Sequence, residues 1–212
     1  PAKKAQPVMM LIHGTSPASS DATRGLVEAL APAGRVIAPD LPGFGHSTRS
    51  IPHYGFKSQA GYLSRLMEQL DIPRAHLIAY GRGAGTALHL AQLLPDRVAS
   101  LTLLSAVGVQ EYELLGEYHL NRALYAAQRM LLWAARHLLP HMGLIRPIPL
   151  SDAHARYLYD ADLRPLRDLL SEWKAPMLIM HGRHDRMVPY AAALEHHRLV
   201  PHSELIAYGH GH

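Results

Sequence analysis

The 212-residue chain predicts a mostly parallel, doubly wound α/β sheet interrupted by one helical insertion. Three observations predict it. Short apolar runs alternate along the chain with segments whose apolar residues recur every three or four positions. One run, His76 to Tyr80, ends on glycines at 81, 83 and 85 and passes directly into a helical pattern, which is a strand, a tight turn and a helix. After Val107 the alternation gives way to a long helical stretch, and strands resume only at Pro176.

Val8 to Ile12 is apolar without a break, as expected of a strand buried on both faces, and it ends on His13-Gly14. Asp21 can cap a helix to about Leu30, with Leu26, Val27 and Leu30 inward. Arg35 to Ala38 is a short second strand. The segment Pro39 to Ser47 that follows is too rich in proline and glycine for regular structure. Gln59 to Leu70 carries Leu63, Leu66, Met67 and Leu70 at helical spacing, and a helix over Thr86 to Leu94 follows the glycine turn. Val98 to Leu104 is another strand. From Glu111 to Leu139 the pattern is helical, and Leu115, Leu120, Leu124, Ala127, Leu131, Leu132, Ala135 and Leu138 form a stripe expected to pack inward and line an apolar pocket. Prolines 140, 147 and 149 break it, and helices are expected over Asp152 to Tyr159 and Arg164 to Trp173. The strand Pro176 to Gly182, a helix over Pro189 to Leu199 and the strand Glu204 to Tyr208 complete the chain. The division is therefore a core over 1–106 and 174–212, with an insertion over 107–173.

Composition narrows the function. Hydrophobic residues at 48% and charged residues at 18% suit a globular protein with a sizeable core. A net charge of +4 is spread thinly, and no basic run interleaves with aromatics, so nucleic-acid binding is not indicated. The chain has no cysteine, hence no disulfide, thiolate metal site or cysteine nucleophile. No apolar run is long enough to span a bilayer and no signal peptide is evident, so a cytoplasmic setting is expected. Sixteen histidines raise the question of a metal. Neither His181 with His184 and Asp185, nor His210 with His212, has a zinc-site spacing, and no metal or cofactor is expected. Residues 81–86 approach a dinucleotide fingerprint, but the third glycine falls one position early and the next strand does not end on an acid.

In an α/β sheet of this kind, ligands bind at the carboxyl ends of the strands. His13 to Ser16, the 39–47 loop, Gly81, Asp185 and His212 all follow strands. With these residues in place the chain resembles the α/β-hydrolase fold family over nearly its whole length. His13-Gly14 is similar to that family's oxyanion loop, residues 40–47 to its Asp-x-Pro-Gly-x-Gly-x-Ser loop, and residues 181–189 to its His-Gly-x-x-Asp-x-x-Val-Pro acid loop. The insertion resembles its cap domain. The stretch Ser105 to Gln128 resembles modules of longer bacterial proteins, and the start at Pro1 and stop at His212 lead to the expectation of an excerpt.

The resemblance implies ester or related acyl-bond hydrolysis at a Ser-His-Asp site, with a small, apolar, ester-like molecule as ligand. The nucleophile elbow, normally Gly-x-Ser-x-Gly, aligns with Ala79-Tyr80-Gly81-Arg82-Gly83, so Gly81 holds the nucleophile position and the serine is absent. Asp185 matches the acid and His212 the base, while Thr15, or its neighbour Ser16, and Arg82 match the backbone donors of the oxyanion hole. His13 is expected to be a buried structural residue. Ser47 and Ser105 follow strands but neither lies on a strand-to-helix elbow. Hydrolysis is therefore expected to be lost or weak, and a non-catalytic ligand-binding role is the alternative.

Overall fold

In a computed structural model, which describes residues 6–14, 19–138 and 152–211, the apolar runs pair into one parallel sheet flanked by helices. The strands are β1 (Val8–Ile12), β2 (Arg35–Ile37), β3 (Ala75–Tyr80), β4 (Val98–Leu104), β5 (Met177–Gly182) and β6 (Glu204–Tyr208). Their order is β2-β1-β3-β4-β5-β6. The chain steps from β1 outward to β2, crosses back to β3 and then runs outward through β6. The direction therefore reverses between β1 and β3, where Met9 pairs with His76 and Ile12 with Ala79. That crevice, at the strand ends carrying Gly14 and Gly81, is where an open α/β sheet binds its ligand.

The helices are α1 (Ser19–Leu30), α2 (Phe56–Gln69), α3 (Gly83–Leu93), α4 (Tyr118–Leu138), α5 (Asp152–Asp160), α6 (Leu166–Ser171) and α7 (Tyr190–Leu199). Met10, Ile12, Leu77, Ala79, Leu101 and Leu103 lie at the centre of the core, and each fully buried leucine, isoleucine or methionine side chain contributes about 1.5–3 kcal/mol. α3 is buried from Gly83 through Leu90, and its small residues let it approach the sheet. A Cβ at Gly83 would strike the carbonyl oxygens of Ile12 and His13, and one at Gly85 would strike the Phe56 ring.

Three expectations need correction. The first helix starts at Ser19, so Asp21 lies within it rather than at its cap. The helical stretch expected from Glu111 begins only at Tyr118, because Gln110–Tyr112 forms a 3₁₀ turn and Gly116 adopts φ +71°. The stripe expected to pack inward also does not do so, since Leu115, Leu120, Leu124 and Leu131 are exposed and only Leu132 of the leucines described is buried. α4 turns Asn121, Tyr125 and Leu132 inward instead, and the first two reach the buried Glu113 carboxylate. A buried carboxylate without partners costs more than exposing leucines, so polar satisfaction sets the rotation of the helix.

α5 is fixed to the core by Tyr157, which is fully buried and packs edge-on against Phe44 and Phe56 at 5.5 and 5.8 Å between ring centres. The Tyr54 amide donates to Asp160 across 2.9 Å at the end of the same helix.

Candidate active site

Gly81 follows β3 with φ +54°, a left-handed conformation that costs an L-residue about 1–2 kcal/mol and glycine almost nothing. Its N–H donates to Leu104 O at 2.9 Å and its carbonyl accepts from Val107 N at 3.2 Å, so the turn is held from the β4 side. A Cβ at Gly81 would meet nothing within 4 Å. The space in front of it is a cavity of about 660 Å³, whose walls include Gly14, Arg82, Tyr125, His154, Leu158 and Met187. Sheet and helical segment thus share one apolar cavity above the β1/β3 switch point.

The loop after β1 is braced by His13. Its Nε2 accepts the Leu41 amide at 2.8 Å while its Nδ1 donates to Gly14 O at 2.7 Å, which defines the neutral Nδ1–H tautomer. Burial lowers its pKa, against opposing effects of the Gly14 carbonyl and of Asp40. Phe44 lies edge-on to the ring at 5.4 Å. His13 therefore ties the 39–47 loop to the β1 loop, the structural role expected for it. In the same loop Asp40 Oδ2 accepts the His46 amide at 2.9 Å, and Ser47 Oγ donates to Asp40 O at 2.6 Å. Gly14 abuts the elbow: a Cβ there would lie 3.4 Å from Arg82 N. Among the described residues no acceptor takes the Arg82 N–H.

Asp185 sits beyond β5 with its carboxylate buried. Oδ1 accepts the amides of Met187 and Val188 at 2.8 and 2.9 Å, and Oδ2 lies 3.5 Å from His181 Nε2, which donates to Val188 O at 2.9 Å. Burial raises the pKa of Tyr80, and the nearby negative charge of Asp185 adds to the shift. The Ser105 and Tyr208 hydroxyls are 3.2 Å apart, and Ser105 adopts φ +42° at the end of β4. The chain end returns to this loop, since a Cβ at Gly182 would strike the carbonyls of His210 and Gly211. His212 and Thr15 both lie outside the described residues.

The Arg82 side chain enters an interaction that sequence reading missed. Its Nη1 pairs with Glu113 Oε1 at 2.7 Å, and both side chains are nearly inaccessible. Gln110, Asn121 and Tyr125 also donate to Glu113, at 2.9, 3.2 and 3.1 Å, while Tyr157 OH donates to Arg82 O at 3.3 Å. Burial, reinforced by the Glu113 charge, pushes the Tyr125 hydroxyl up to about 12 despite Arg82, and burial does the same to Tyr157, so both phenols stay protonated. The one local signal for this cluster was the placement of Asn121 and Tyr125 on a common helix face. Nothing nearby in the sequence linked that face to Arg82.

The sequence matches the family described as alpha/beta hydrolase fold over residues 7–139. A 2-hydroxy-6-oxo-2,4-heptadienoate hydrolase of Pseudomonas putida is 28% identical, with 95% of this chain and 80% of that protein covered. A 2-hydroxymuconate semialdehyde hydrolase of the same species is 30% identical over 94% of this chain and 78% of its own length. The fold is similar to that of a thermophilic esterase from Thermogutta terrifontis, with a TM-score of 0.80 and 21% identity over 98% of this chain and 83% of the esterase. With its six parallel strands, its glycine elbow at the switch point and its match over residues 7–139, this chain belongs to the α/β-hydrolase fold family.

Proposed function

We propose that the chain is a scaffold for ester or related acyl-bond hydrolysis by a Ser-His-Asp-type mechanism, in which the nucleophile position is Gly81 and turnover is consequently absent or weak. The observation that carries this reading is Gly81 itself, a left-handed residue at a strand-to-helix turn whose Cβ direction opens without obstruction into the cavity. A side chain placed there would present its hydroxyl to a bound acyl group. In this reading His212 takes the proton of that hydroxyl, Asp185 orients the imidazole, and the N–H groups of Arg82 and Thr15 stabilise the oxyanion. The helices between β4 and β5 act as a cap that selects a small, apolar, ester-like substrate. The relatives named above, both hydrolases, support the reaction class.

The test is Gly81→Ser assayed on p-nitrophenyl esters of short and medium acyl chain. The expected result is hydrolysis absent from the parent chain, labelling by a fluorophosphonate at residue 81, and loss of both on adding Asp185→Asn. Labelling of the parent chain at any serine would refute the assignment of position 81. The second reading, a non-catalytic member that binds a small apolar ligand, is favoured by the apolar cavity standing beside a residue with no reactive atom. It prevails if the folded Gly81→Ser variant hydrolyses no ester while the parent chain retains such a ligand.

A further inference from the structure

α4 presents an unusual face. Among its described side chains, every exposed position is leucine, alanine, methionine, tryptophan or His119. Leu120, Leu124, Met130, Leu131 and Trp133 are the large ones, and Met130 and Leu131 are each more than 70% accessible. A surface helix ordinarily turns charge to solvent and apolar residues to the core. Here the inward face holds Asn121, Tyr125 and Leu132, and the outward face, over the described side chains, is apolar apart from His119. Isolated exposed leucines need no explanation, whereas an apolar face running over the described side chains of residues 118–135 marks an interaction surface.

Charge identifies the occupant. α4 contains no aspartate or glutamate, and arginines recur at 122, 129 and 136. Arg122 and Arg129 stack over the Tyr159 ring at 4.2 and 4.6 Å, which places them along the edge of the apolar face rather than within it. A second copy of this helix would bring the same arginines, and the one carboxylate at its start, Glu117, already accepts the Leu120 amide at 2.9 Å. A bilayer with anionic headgroups accepts leucine, methionine and tryptophan at the acyl boundary and arginine at its phosphates. No helix among the described residues is long and apolar enough to cross a membrane, so α4 would lie along such a surface rather than span it.

We propose that α4 is a docking helix for an anionic lipid surface, inserting Leu120, Met130, Leu131 and Trp133 with the arginine edge against headgroup phosphates. Leu114 and Leu124 are exposed and also line the cavity, so the docking face is continuous with the cavity rim. The inference does not depend on the catalytic reading.

The test is flotation of the 212-residue chain with phosphatidylcholine vesicles made with and without phosphatidylglycerol, combined with tryptophan emission. Trp173 is buried, so a blue shift on binding reports Trp133. Binding is expected with phosphatidylglycerol, weakening as salt is raised. The double variant Met130→Glu, Leu131→Glu should lose about tenfold or more in binding, while circular dichroism shows it folded. The proposal is overturned by absence of binding, by equal binding to uncharged vesicles, or by undiminished binding of the double variant. It is likewise overturned if sedimentation equilibrium finds a dimer, abolished by the double variant, in a chain that does not float; the face would then belong to a second copy.

Discussion

Arg82, at the elbow after β3, and Glu113, in the segment after β4, form a 2.7 Å ion pair shielded from solvent on both sides. The pair joins the turn carrying Gly81 to the segment between β4 and β5 that lines the cavity, and it does so in a place where an unpaired charge is expensive. Breaking it from one side should therefore cost more than removing it altogether. Glu113→Leu or Arg82→Met alone is expected to lower stability by about 3–5 kcal/mol, and the double replacement Arg82→Met, Glu113→Leu by less than Glu113→Leu alone. Urea denaturation of the three variants and the parent checks this; additive losses would show that the two residues act independently.

Two neighbouring glycines should respond differently to alanine. At Gly81 the cost is conformational, about 1–2 kcal/mol for a left-handed L-residue, because no atom obstructs the Cβ. At Gly83 the Cβ meets two backbone carbonyls that cannot move without shifting β1. Gly83→Ala should therefore lie at or above the top of the about 1–3 kcal/mol range of overpacked cores. Thermal melts of the two variants would reveal the difference, and equal losses would contradict it.

His196 gives the fold a pH dependence. It is fully buried, neither ring nitrogen has a partner among the described residues, and burial, with a smaller contribution from His181, brings its pKa to about 4. Above the ordinary value of 6.5 both folded and unfolded states are neutral and nothing is lost. As pH falls from 6.5 to about 4 only the unfolded state takes up the proton, so stability declines, by about 3 kcal/mol in all. His13, also lowered by burial, acts in the same direction. His196→Leu should flatten the fall in melting temperature between neutral pH and pH 4; an unchanged slope would assign it to other groups.

Asp185 separates structure from chemistry. Its Oδ1 accepts two loop amides, so Asp185→Ala should cost about 1–3 kcal/mol in stability, whereas Asp185→Asn retains an acceptor and should cost less. In the Gly81→Ser background the asparagine variant should nevertheless abolish ester hydrolysis. Full activity in that folded double variant would remove Asp185 from the proposed mechanism.

Much of this architecture was legible along the chain. Val8–Ile12 and Val98–Leu104 fall where their apolar runs end, because a strand inside a parallel sheet announces itself by composition, and the edge strand Glu204–Tyr208, which has no buried residue, falls at its expected bounds too. Helix starts were less clear. α2 opens at Phe56 and α3 at Gly83, each three residues before the expected start, since no side-chain cap marks either end. The left-handed turn at Gly81 and the structural role of His13 were both read from local chemistry, glycines in one case and a histidine closing a buried strand in the other.

The sequence by itself determined the alternation of strands and helices, the positive-φ turn at Gly81 and the loops that gather at the strand ends, because these follow from backbone preference and local burial. Only the tertiary structure decided which way α4 faces. A helical stripe of leucines carries no information about which of two faces meets the core until the partner is known, and here the partner is the buried carboxylate of Glu113, itself bound to Arg82. The Arg82–Glu113 pair joins residues 31 positions apart, and satisfying the carboxylate it holds turned the leucines outward, leaving the apolar face on the surface and the cavity in front of Gly81.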